Sequence, residues 1–194
     1  MAKMRLFLRE SNVGREPLAV SMSSVRSGER VLQIGVNDPR IVHAIAGKTG
    51  ITGLATVIVP YESGAQRIRE VVGEGSSSPD VRIEPLDRLP FADGAYDVAV
   101  IHNADGLLTS LDASVRHQSI REVLRVLRHG GRVIVLEAGR PTGLRALLGR
   151  PKRRDERSGA AGGTVAALEA VGFVAVRVLG DREGYRFIEG LKPR

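Results

Sequence analysis

Four short aliphatic runs constrain this chain more than any other feature: RVLQIG at 30–35, LATVIV at 54–59, YDVAVI at 96–101 and RVIVLE at 132–137. They are close to continuous in apolar character rather than alternating, as expected of strands buried on both faces. Helix-patterned stretches lie between them. After the first run, Asp38 reads as an N-cap with Pro39 at the first helical position, and Ile41, Val42 and Ile45 supply one apolar face. ESGAQRIREVV at 62–72 reads as a second helix, and the strongest helix pattern runs from about Leu111 to Leu127. There Ile120, Val123, Leu124 and Leu127 share one face, and Gly130–Gly131 are expected to end the helix.

The remaining signals complete the pattern. GEGSSSP at 73–79 is a loop by composition, a short strand falls near Val81–Ile83, and Thr164–Val171 reads as a helix. FVAVRVLG and GYRFIEG, joined through Asp181–Gly184, make an antiparallel hairpin. The economical solution is an α/β fold: a Rossmann-like, doubly wound, seven-stranded and mostly parallel sheet, with helices on both faces and the hairpin at its end. We expect one domain over 28–192, with 1–27 as an extension packing on it and 140–163 as a basic insertion. In such sheets ligands bind beyond the carboxyl ends of the strands, near the switch in strand order.

Composition narrows the partners. With 194 residues, 42% of them hydrophobic, the chain can bury a real core. It has no cysteine, which excludes a disulfide framework and thiolate metal sites. His43, His117 and His129 are scattered without metal-ligand spacing. No run approaches the ~20 apolar residues of a membrane span, so a soluble, cytoplasmic protein is expected. The net charge of +7 is concentrated at 140–157, where seven basic side chains face only Asp155 and Glu156. Such a field favours anionic partners, either nucleic-acid phosphate or an acidic membrane surface. Leu144, Leu147 and Leu148 with Arg145 and Arg150 add an amphipathic character suited to membrane, where lipid-soluble acceptors reside. The segment contains no aromatic residue, which counts against base stacking.

Three segments, in order and spacing, carry a family resemblance: RVLQIG followed by a helix, RLPFADGAYDVAVI at 88–101, and IREVLRVLRHGGRVIVLE at 120–137. Together with the closing AVGFVAVRVLG and GYRFIEGLKP they resemble the class I S-adenosylmethionine-dependent methyltransferases of type 11, the ubiquinone/menaquinone-biosynthesis-like group. The resemblance covers roughly 28–192.

It implies S-adenosylmethionine as cofactor, held on a glycine-rich turn after the first strand where backbone and ligand approach closely. The family's acid-x-Gly-x-Gly-x-Gly pattern falls on Gln33, Gly35, Asn37 and Pro39. The acid that ends the family's second strand falls on Val59 or Pro60, with Glu62 shortly after; the acid before LPF falls on Pro85, beside Glu84 and Leu86. The resemblance therefore assigns Gln33, Gly35, Asn37, Glu62 and Leu86 to the cofactor. His102 and Asp105, just past the fourth strand, face the acceptor as candidate acid/base groups. Three readings stay open: methyl transfer to an unidentified acceptor, a non-catalytic relative acting as a binding or assembly subunit through its basic segment, and an enzyme placing another nucleotide-like ligand in the same crevice.

Overall fold

The computed structural model describes residues 17–72, 78–139 and 163–194; the basic stretch 140–157 lies outside them. In chain order the elements are α1 (Leu18–Met22), β1 (Arg30–Ile34), α2 (Pro39–Gly47), β2 (Leu54–Val59), α3 (Glu62–Val72), β3 (Asp80–Ile83), β4 (Tyr96–Asn103), α4 (Ala113–Val126), β5 (Leu127–Ala138), α5 (Gly163–Val171), β6 (Val174–Arg182) and β7 (Tyr185–Leu191). They build one seven-stranded sheet in the order β3-β2-β1-β4-β5-β7-β6. The first five in that order run parallel, while β7 is antiparallel to both β5 and β6. This is the doubly wound arrangement expected from the sequence.

Successive side chains of each strand enter opposite layers. Leu32, Ile34, Ala99 and Ile101 pack with Ile120, Val123 and Val126 of α4 and Leu168 of α5. Val31, Val98, Val100 and Ile134 pack on the other face with Ala19 and Val20 of α1 and Ile41 and Ile45 of α2. Ala65 and Ile68 of α3 close over Val57 and Val59. Because both faces are covered, the central strands need apolar residues at nearly every position, which explains the continuous runs. Each fully buried aliphatic side chain contributes about 1.5–3 kcal/mol of transfer free energy.

Two local expectations change in the structure. The helix ends at Val126, and Gly130–Gly131 are not its stop. Leu127 already has extended backbone and pairs with Tyr96, while the next pair is Val98 with Arg132. The chain bulges between those pairs, and Gly130 supplies the positive φ of 70° that the bulge requires. At the end of the chain, β6 and β7 extend until Arg182 pairs with Tyr185, leaving only Glu183 and Gly184 as the turn. Both have positive φ, 52° and 79°, the pairing that matches the twist of a two-residue hairpin. A side chain at Gly184 would meet nothing within 4 Å. Gly184→Ala should therefore cost only the backbone term of about 1 kcal/mol, read as a shifted urea midpoint with unchanged slope.

One polar cluster fastens the segment before β4 to α4. The Arg125 guanidinium donates to the carbonyls of Leu89 and Phe91 and to the carboxylates of Asp93 and Glu122, while Glu122 accepts from the Leu89 N–H. Arg125 holds the Glu122 carboxyl below its ordinary range. Through this cluster the chain on either side of Leu89 is fastened to the C-terminal end of α4 before it enters β4.

Candidate functional site

The strand order reverses at β1, whose neighbours are β2 on one side and β4 on the other. The crevice expected at such a point is bounded by the loops that follow β1 and β4. Gly35 ends β1 with φ 79°, and its N–H donates to the Ile58 carbonyl of β2 at 2.8 Å. Asp38 caps α2 by accepting from the Arg40 N–H at 2.9 Å, and Pro39 follows at the first helical position.

Gln33 is fully buried, and both ends of its amide are used. Its Nε2 donates to the Val42 carbonyl of α2 at 2.9 Å, so its Oε1 faces His102 Nε2, also at 2.9 Å. With that amide orientation, His102 Nε2 carries the proton and donates. His102 is 2% exposed, and burial pushes its pKa down to about 4, against a smaller opposing pull from Asp38. The ring is thus a neutral donor that joins β4 to β1. It lies under the crevice and is not presented at its mouth.

Asn37 links the two loops. Its Oδ1 accepts from the Ala104 N–H at 3.0 Å, and its carbonyl accepts from Arg67 Nη2 of α3 at 2.7 Å. Asn103 accepts from the Leu108 N–H at 2.8 Å through Oδ1 and donates through Nδ2 to Glu137 at 3.2 Å. The Thr164 hydroxyl donates to the same Glu137 oxygen, which ties α5 to the end of β5. Asp105 is exposed on the loop after β4. Burial raises the Tyr185 phenol, and the charges of Asp38 and Asp105 add to the rise.

Of the residues singled out from the sequence, Gln33, Gly35, Asn37, His102 and Asp105 converge on the ends of β1 and β4. Leu86 is 5% exposed and packs in the same apolar cluster as Ile34, Ile101 and Leu108, so it contributes to the floor of the crevice. Glu62 stands apart in the first turn of α3, where its exposed carboxylate pairs with Arg69 at 2.6 Å. Sequence reasoning did not find Arg67, Glu137, Thr164 or Leu107. Nothing local marks them, because each acts across 27 to 72 residues of chain: Arg67 on Asn37, Glu137 on Asn103, Thr164 on Glu137 and Leu107 on Gly35.

The family model for the type 11 methyltransferase domain matches residues 32–135, more than half of the chain. The chain belongs to this S-adenosylmethionine-dependent methyltransferase family. Among curated relatives, the ubiquinone/menaquinone biosynthesis C-methyltransferase UbiE of Pseudomonas fluorescens is 28% identical over 177 residues, which cover 88% of this chain and 60% of the relative. UbiE of Pseudomonas savastanoi is 34% identical over 128 residues, 64% of this chain and 47% of the relative. The methyltransferase-family chain thus spans only about half to three-fifths of these relatives' lengths. Among solved structures, a SAM-dependent methyltransferase from Aquifex aeolicus superposes with TM-score 0.65 at 16% identity, covering 90% of this chain and 88% of that one. One from Methanosarcina mazei gives TM-score 0.60 at 21% identity, covering 92% and 98%. These likenesses bear on the fold, which they share.

Proposed function

We propose that the chain transfers the methyl group of S-adenosylmethionine to a lipid-soluble acceptor. The observation that carries the cofactor reading is Gly35: a buried residue in left-handed conformation at the carboxyl end of β1, beside the reversal of strand order. A position without a side chain there suits close approach of a ligand to the backbone. The bound sulfonium supplies an already activated methyl group, which leaves positioning as the main task of the protein.

Roles for the chain's own residues follow from their places. Gln33 and His102 hold the end of β1 against β4, so they act as positioning residues. Asn37 and Leu86 line the crevice. Asp105 offers a solvent-facing carboxylate on the acceptor side. Glu62 suits the ribose hydroxyls after release from Arg69, an exposed pair of the kind worth about 0–1 kcal/mol.

The names of the UbiE relatives support a ring carbon of a quinone precursor as the acceptor. The basic stretch 140–157 lies between Gly139 after β5 and Gly163 at the start of α5, both near the carboxyl edge of the sheet. We assign it to an anionic membrane surface, where such an acceptor dissolves. Among the described residues no helix is long and apolar enough to cross a membrane.

Titration calorimetry with S-adenosylhomocysteine tests the cofactor reading. A dissociation constant below about 1 mM is expected, and no heat at millimolar ligand rejects it. Transfer of a labelled methyl group to demethylated quinone precursors tests the acceptor. Co-sedimentation with vesicles with and without anionic lipid tests the surface: salt-sensitive binding confined to the anionic vesicles is expected, and equal binding to both kinds removes the assignment.

A further inference from the structure

We propose that the loop 104–107 is a lid over Gly35, latched by the side chain of Asn37, and that its opening sets the affinity for the cofactor. The proposal rests on the cofactor reading above. Its geometric basis is the free face of Gly35. A Cβ built there would lie 2.6 Å from Leu107 Cδ2 and 3.2 Å from the His102 carbonyl oxygen. Leu107 therefore occupies the space that the missing side chain leaves open, which is the space a ligand needs in order to reach the Gly35 backbone. The mainly apolar slot lined by Ile34, Leu86, Ile101, Leu108, Ser119, Ile120 and Val123 is too narrow to take a water molecule.

Besides Leu107 on Gly35, the loop after β1 holds this loop, among the described residues, by one cross-loop hydrogen bond. Asn37 Oδ1 accepts from the Ala104 N–H at 3.0 Å. The other loop hydrogen bonds run to the end of β4 and to the turn that follows: Gly106 N–H donates to the Asn103 carbonyl and Leu108 N–H to Asn103 Oδ1, while the Gly106 carbonyl accepts from the Ser110 N–H and the Thr109 hydroxyl and the Leu107 carbonyl from the Ser110 hydroxyl. Asn37 is itself anchored, because Arg67 donates to its carbonyl and, at 3.4 Å, to that of Val36. A fixed post and a movable loop thus meet at one hydrogen bond. Gly106, with φ 78°, precedes Leu107 and supplies a pivot. Leu107 is only partly buried, so swinging it outward exposes less apolar surface than moving a core leucine. A glycine at position 37, as in the family's pattern, has no side-chain acceptor with which to make the latch.

A protein whose binding-competent state is a minor population binds more weakly by that fraction. Leu107→Ala and Asn37→Ala should each tighten S-adenosylhomocysteine binding in calorimetry by about tenfold. In the ligand-free protein, Asn37→Ala should speed exchange of the Ala104 amide hydrogen by a similar factor, while amides of β1 keep their rates. Tighter binding by the variants together with faster Ala104 exchange supports the lid. Equal and measurable affinities in wild type and variants overturn the lid and leave the cofactor reading standing. Unchanged Ala104 exchange in Asn37→Ala overturns the latch. Absence of heat in all proteins at millimolar ligand removes the cofactor reading, and the lid as its gate falls with it. Asn37→Ala deletes no packed apolar atoms, so it remains decisive if Leu107→Ala does not fold.

Discussion

Gly35→Ala is expected to lower stability by about 2–5 kcal/mol and to abolish binding of S-adenosylhomocysteine. The cost has two sources. An L-residue held at φ 79° pays roughly 1–2 kcal/mol for left-handed backbone. The added methyl group also meets Leu107 Cδ2 at 2.6 Å and the His102 carbonyl at 3.2 Å, overpacking of a kind that costs about 1–3 kcal/mol. The two sources separate in a double mutant. Leu107→Ala on the Gly35→Ala background should return the steric part and leave the backbone part, giving a coupling of about 1 kcal/mol or more in urea denaturation. Additive effects would mean that Leu107 does not press on Gly35. Gly184→Ala is the control, since it has the same φ of 79° and no neighbours within 4 Å.

Acidification should weaken the fold well above the range in which carboxylates titrate, and His102 is the cause. Buried and neutral, His102 takes up a proton only near pH 4 in the folded protein, whereas an unfolded chain binds it near 6.5. Between those values the unfolded state holds more protons, so stability falls as pH drops from 6.5 towards 4 and is unaffected by this group above 6.5. The full loss is about 3 kcal/mol, of which roughly 2 kcal/mol appears by pH 5. Glu122 and Asp97, whose pKa values are lowered, add losses only at lower pH. Comparing urea midpoints at pH 7 and pH 5 reads the effect directly. His102→Gln keeps a donor for Gln33 and does not titrate, so its two midpoints should nearly coincide. A wild-type protein with equal stability at both pH values would contradict the buried, neutral state of this ring.

The same residue shows how far sequence reasoning reaches. Its place just past a strand, with a side chain that titrates near neutrality, pointed to an acid/base group at the crevice. In the structure β4 runs on through His102 to Asn103, and the ring's environment comes from Gln33, which lies 69 residues away. Gln33 in turn looked like an acid turned into an amide. In the fold the amide is what allows one side chain to donate to the Val42 carbonyl while accepting from His102, which a carboxylate cannot do. Asn37 was legible as a residue replacing glycine. Its hydrogen bond to the Ala104 N–H was not, since that bond requires the loops after β1 and β4 to meet.

The sequence by itself determined the architecture. Strands covered on both faces need unbroken aliphatic runs, amphipathic helices need their own period, and both patterns are local and readable at 30–35, 54–59, 96–101, 120–127 and 132–137. Only the tertiary structure decided the state of the crevice: Leu107 on Gly35, Asn37 on Ala104, Arg67 on the Asn37 carbonyl, and His102 held neutral under them. Those contacts join residues 30 to 72 positions apart through a few directional bonds and one close packing distance. Such contacts have no period along the chain, and they exist only once the sheet has brought its strand ends together.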